Sequence, residues 1–186
     1  MKKQIRTVST LLIALVATAV LTAPRPAMAA DAAAIDRESK AALAKLYETT
    51  PVAKMLGEKA KAVLVFPGIL KAGFIVGAQG GNGALIVNGN TVAYYNISAA
   101  SYGLQAGVQE FGYAMFLMTD SARAYLNKSK GWEVGVGPSV VVVDAGVAKS
   151  LTTTTAKDDV YAFIFSQKGL MAGIGIQGSK ITRFDP

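Results

Sequence analysis

The sequence predicts an α+β, β-dominated domain, a strongly curved antiparallel sheet or barrel-like core with two N-terminal helices and one mid-chain helix. Three observations carry this. Short apolar runs separated by Gly, Pro and Asn-Gly signals recur from Ala62 onward, giving about eight or more strands. Helical periodicity is confined to the residues before Lys61 and to a stretch after Asp120. The chain also carries 19 glycines, which permit the bends and close backbone contacts that a curved sheet needs.

Residues 1–29 read as a secretory signal peptide rather than part of the fold. Lys2, Lys3 and Arg6 form a basic n-region, Leu11 to Leu21 an apolar h-region, and Ala27-Met28-Ala29 a cleavage site. The apolar stretch falls short of the roughly 20 residues that span a bilayer. Its removal lowers the net charge from +7 to +3, so the basicity belongs mostly to targeting. Residues 30–186 then form a single domain, 52% of the whole chain being hydrophobic and 17% charged. The expected destination is the periplasm or the exterior.

In chain order, Asp31 is placed to cap a helix whose apolar stripe is Ile35, Ala42, Leu43, Leu46 and Tyr47. Thr50-Pro51 supplies an N-cap and a first-turn proline for a second helix with Val52, Met55, Leu56 and Ala60 on its apolar face. Ala62–Phe66 and Lys71–Ala78 read as separate strands, with Pro67 as a stop and the glycine cluster Gly80, Gly81, Gly83 as a tight loop. Ala84–Val87 leads into Asn88-Gly89, a type I′ hairpin signal, and Thr91–Ile97 returns.

Ser98–Glu110 reads as strand because Gly103 and Gly107 weaken a helix, and Tyr113–Met118 continues as a buried strand. Asp120 is expected to cap a helix running to about Lys128. Two strands lie between Trp132 and Val143, and Val140–Val143 is too uniformly apolar to have a wet face. Ser150–Ala156 is a polar loop, Asp159–Ser166 a strand, Lys168-Gly169 a turn and Leu170–Gln177 a last strand.

The absence of Cys and His removes disulfides, thiol and imidazole chemistry, and ordinary zinc or haem sites; no cofactor is expected. Gly173–Gly178 spells GxGxxG, but a dinucleotide fingerprint needs a following helix and an acid about 20 residues on, and only eight residues remain. Gly77–Gly83 lacks the Gly-Lys-Ser/Thr ending of a phosphate loop. Asp158-Asp159, Glu110, Asp120, Glu133 and Asp144 form no spaced pair for acid–base work, and neither Ser101 nor Ser166 sits in a nucleophile motif. A binding protein, not an enzyme, is expected.

The charged set with the most functional content is Arg37, Lys40, Lys45, Lys54, Lys59 and Lys61, with Lys71 nearby. Basic amphipathic helices can lie on an anionic membrane, and the same pattern also suits soluble helices whose lysines are solvated. Glu38, Glu48 and Glu58 dilute the charge. A mature charge near +3 argues against nucleic acid.

Three segments, Ala60 to Val87 (AKAVLVFPGILKAGFIVGAQGGNGALIV), Ala93 to Gln109 (AYYNISAASYGLQAGVQ) and Ser166 to Ile181 (SQKGLMAGIGIQGSKI), resemble the SYLF domain of eukaryotic endocytic and bacterial exported proteins. The resemblance spans about residues 38–184. It implies phospholipid binding, and in some fungal members actin binding. It places the lipid contact on a basic N-terminal helix, here around Arg37 to Lys61. A bacterial-type signal peptide argues against actin and phosphoinositides and leaves anionic phospholipid as partner. Two other readings stay open: an envelope scaffold that binds another protein, and a small outer-membrane barrel, against which the non-alternating runs Ala62–Phe66 and Val140–Val143 speak.

Overall fold

A computed structural model describes residues 32–102, 107–128, 131–169 and 178–186; residues 1–29, read above as a leader, Asp31 and the expected last strand Leu170–Gln177 with most of the GxGxxG segment lie outside them. Among the described residues the chain runs α1 (Ala32–Thr49), α2 (Pro51–Gly57), β1 (Ala62–Gly73), β2 (Val76–Val87), β3 (Asn90–Tyr102) and β4 (Gly107–Leu117). It continues with α3 (Asp120–Leu126), β5 (Trp132–Glu133), β6 (Val140–Val142), α4 (Ala145–Ser150), β7 (Val160–Gly169) and β8 (Lys180–Phe184). The strands form one strongly curled eight-stranded sheet, a half-barrel in the order β5-β8-β3-β2-β1-β4-β7-β6. All pairings are antiparallel except that of β6 with β7.

The uniformly apolar runs are explained by cover on both faces of the sheet. Leu64, Phe66, Tyr113, Met115, Val160 and Ala162 face one side, where Trp132 and the α3 residues Ala122 and Leu126 join them. Val63, Val65, Ala114, Phe116, Tyr161 and Phe163 face the other, under Leu43 and Leu46 of α1 and Ala53 and Leu56 of α2. These are called below the aromatic face and the helical face. Val142 departs from the expectation of a wholly dry run: it is exposed, because β6 is an edge strand with one neighbour.

The largest correction concerns residues 62–87. Pro67 does not stop a strand and the glycine cluster is not a loop. β1 runs through Pro67-Gly68 by a shift in register against both neighbours, a bulge that takes a residue with no N–H to give. β2 runs straight through Gly77–Gly83, so no glycine-rich loop is available to cradle a phosphate. The turn falls instead at Phe74-Ile75, which carries no turn signal at all. Asn88-Gly89 behaves as expected, with φ of 49° and 78°.

The glycines in β2 show how the sheet curls. Gly81 and Gly83 pair with Ile97 and Tyr95, so both lie on the aromatic face. A Cβ on Gly83 would stand 2.3 Å from the Val65 carbonyl oxygen, and one on Gly81 2.6 Å from that of Gly68. In a flat sheet a Cβ points away from the neighbouring backbone. The bulged part of β1 therefore folds over β2 toward the aromatic face.

Local caps differ in detail from expectation. Thr50 precedes α2 but makes no side-chain cap bond, and α3 is capped by Thr119, whose Oγ1 accepts from Ala122 N at 3.2 Å, rather than by Asp120. Asp144 caps α4, a helix the polar sequence around it hid, by accepting from Gly146 N and Val147 N at 2.8 Å each. Lys168-Gly169 closes β7 instead of forming a turn.

Candidate membrane-binding surface

α1 crosses the helical face, and its apolar stripe is committed to the sheet: Ile35, Ser39, Leu43 and Leu46 are buried. Ser39 Oγ donates to the Val65 carbonyl at 3.3 Å, and Asp36 accepts a short hydrogen bond from Thr91 of β3. These contacts leave no apolar stripe of α1 to offer to another surface. What the helices present outward is charge.

Arg37, Lys40, Lys45, Lys54, Lys59 and Lys61 are all exposed. Lys40 pairs with Asp36 at 2.9 Å, and Lys59 donates to the Thr153 carbonyl at 3.3 Å. The Thr91 hydrogen bond, then that from Lys40, holds the Asp36 carboxyl below its usual range. The seventh residue of the set, Lys71, lies elsewhere: it is 5% exposed in β1, on the aromatic face, in a cross-strand row with Gln79 and Gln109. Gln79 Nε2 donates to Ser179 Oγ at 2.9 Å. Four of the six cations thus lie on α1 and α2 and Lys59 and Lys61 on the α2–β1 connection, and the sheet takes Lys71 inside.

A groove of about 670 Å³ opens between α1 and the bulge of β1. Lys45 and Glu38 of α1 line one side, and Glu110, Phe165, Ser166 and Lys168 the other. Ser166 holds φ of 52°, a left-handed conformation at the irregularity between β4 and β7. The groove mixes both charge signs, so it offers a polar rim rather than a pure anion pocket.

Three of the acids weighed for catalysis, Asp144, Asp158 and Asp159, have structural partners. Asp159 accepts from Thr119 Oγ1 at 3.0 Å and from Ser139 N at 3.2 Å, joining the β4–α3 corner to the strand entrance. Asp158 accepts from Tyr161 Oη at 3.2 Å. On the aromatic face, burial pushes the Tyr113 phenol far above its usual range; it and Gln109 Oε1 are buried without a hydrogen-bond partner. Among the described residues no helix is long and apolar enough to cross a membrane, which says nothing of strands.

A second surface feature is apolar and was not expected from the sequence. Phe74 and Val76 at the β1–β2 turn are 70% and 63% exposed, and Leu70, Ile75 and Val108 are exposed beside them. The signal was present in the apolar triplet Phe74-Ile75-Val76, which carries neither a helical nor an alternating period.

Residues 98–185 match the family model described as "Ysc84: Las17-binding protein actin regulator". The match runs from the second half of β3 through β8 and bears out the SYLF resemblance. No curated protein matches the chain in a sequence comparison.

Proposed function

Taking residues 98–185 as a Ysc84 (SYLF) domain match, we propose that this chain is a non-catalytic module that binds phospholipid at a membrane surface. The observation that carries the reading is the set of six exposed cations, four on α1 and α2 and two on the α2–β1 connection, beside apolar stripes that the sheet already occupies. Contact is then electrostatic: cations of this set, those of α1 foremost, meet anionic headgroups, each lysine near the surface contributing about 1 kcal/mol. The leader-like residues 1–29 support export, with an envelope membrane as the surface met.

The test is co-sedimentation of the chain lacking residues 1–29 with vesicles. Recovery is expected with phosphatidylglycerol-containing vesicles and not with pure phosphatidylcholine, and it should fall as salt rises. Arg37→Glu, Lys40→Glu and Lys45→Glu together should abolish it. Equal recovery on both vesicle types would overturn the electrostatic reading.

The wording "Las17-binding" for the matching family favours a second reading, an envelope protein as partner. One stoichiometric protein recovered from envelope extract, without lipid, would support it.

A further inference from the structure

We propose that the β1–β2 turn is a bilayer-inserting tip, with Phe74, Ile75 and Val76 entering the acyl layer while the row of side chains behind them stays at the headgroups. The proposal rests on the membrane-surface reading and adds the element that crosses into the apolar phase.

The first ground is the turn itself. The β2–β3 hairpin turns on Asn88-Gly89, both exposed and polar or featureless, as a turn in water should be. At the other end of β2 the same chain turns on Phe74-Ile75 and leaves Phe74 and Val76 mostly in solvent. No charged side chain occurs between Ala72 and Ala78. Local sequence choice departs from aqueous rules at one end of the hairpin only, as a binding surface would require. The turn closes on itself, Phe74 N donating to the Val76 carbonyl at 3.3 Å, which suits a medium offering no other hydrogen bonds.

The second ground is what surrounds the tip. α1 covers the helical face only as far as the level of Gly68 and Asn82. Beyond it, cross-strand partners set Ala100, Ala78, Ala72 and Val108 in one row, and Ser98, Gly80, Leu70 and Glu110 in the next. That second row ends in exposed lysines on both sides, Lys180 paired with Ser98 and Lys168 paired with Glu110. Apolar residues thus sit toward the tip and cations behind them. Five residues at about 3.3 Å each put the lysine row roughly 16 Å from Ile75. Insertion of the tip by about 5–10 Å then brings both ammonium groups within a Debye length of the phosphates.

An exposed two-residue turn is a poor match for a small-molecule cleft, and the graded order of apolar tip and cationic shoulder is that of a membrane interface. Tip-first docking also divides the cationic layer. Lys45 and Lys168, which share the groove, stay near the membrane, while Lys61, hydrogen-bonded through its N–H to Leu117 at the far end of β1, is held roughly 35 Å back.

The natural lack of cysteine makes the experiment direct. Ile75→Cys and, as control at the opposite end of β2, Asn90→Cys are each labelled with an environment-sensitive fluorophore and mixed with phosphatidylglycerol–phosphatidylcholine vesicles containing an acyl-chain quencher. A blue shift and quenching at position 75 but not at 90 is the expected result. Vesicle recovery with an aqueous signal at position 75 would overturn the tip and leave the membrane reading standing. No recovery on any vesicle would overturn both. A blue shift at position 75 without vesicles would assign the tip to self-association and so overturn its lipid role. As a second arm, Phe74→Asp should weaken vesicle binding by roughly tenfold to a hundredfold, the worth of burying one phenyl side chain, with an unchanged thermal midpoint. Unchanged affinity in Phe74→Asp would also refute the insertion.

Discussion

Three of the four glycines of β2, Gly80, Gly81 and Gly83, offer a graded test of how the sheet curls. Gly80 faces the open helical face, and a Cβ there would meet only the Ile97 carbonyl oxygen at 3.6 Å, an ordinary contact. Gly81 and Gly83 face the folded side, where the Cβ would lie 2.6 and 2.3 Å from carbonyl oxygens of β1. At Gly83 the Phe66 ring is also 2.6 Å away, so neither a backbone shift nor a side-chain swing relieves the clash alone. Ordinary contact begins near 3.4 Å, so β1 would have to move by roughly 1 Å at its bulge, an overpacking cost of about 1–3 kcal/mol. Gly80→Ala should instead be neutral, or slightly stabilising through the unfolded chain. For a domain of this size 1 kcal/mol moves the thermal midpoint by about 2–4 °C, so Gly83→Ala should melt roughly 2–12 °C lower and Gly80→Ala within about 2 °C of the parent. Urea unfolding of the three single variants reads the same differences as midpoints at constant slope. If Gly80→Ala were as damaging as Gly83→Ala, the curl would not be where the geometry places it.

Two further outcomes concern the helical layer. Phe116 is fully buried, with its ring centroid 5.3 Å from Phe163 and 6.2 Å from Tyr47 of α1, so Phe116→Ala should cost about 3–5 kcal/mol by chemical denaturation; a loss below about 1 kcal/mol would mean that α1 does not dock as described. Asp36 has a depressed carboxyl pKa in the folded chain, so its contribution is present above the ordinary value of 3.8 and is lost as pH falls through and below that value. Carboxyl NMR titration should place the Asp36 midpoint below 3.8, and Thr91→Val should raise it; an unchanged midpoint in Thr91→Val would remove Thr91 as the main cause.

Much of the fold was legible because its signals are local. The α1 stripe through Leu43 and Leu46, the Asn88-Gly89 hairpin, and the alternation of Ala93, Tyr95 and Ile97 inward all depend on residues adjacent in sequence. What misled was punctuation. Pro67 and the Gly80–Gly83 cluster break strands in most settings, but here a bulge absorbs the proline and the glycines serve a neighbour brought in from β1. That contact exists only in the folded sheet, so no local window contains it. The exposed cations of α1 and α2 could be read from the helical period, whereas the burial of Lys71 depends on which face of a curled sheet its strand register selects. The apolar turn at Phe74-Ile75 went unread because turn rules assume water on the far side.

The position of β8 governs when the molecule can be finished. The last strand inserts between β3 and β5, pairing residues 180–184 with residues 94–98 and Trp132 with Ile181. Among the described residues β5 has no other strand beside it, so this flank of the sheet closes only after residues 180–184 become available. A chain moved through a membrane pore from its N-terminus would leave this flank open until residues 180–184 had emerged, its long-range pairing deferred until then. The single Trp132, fully buried in that flank, is a built-in fluorescent timer for the event.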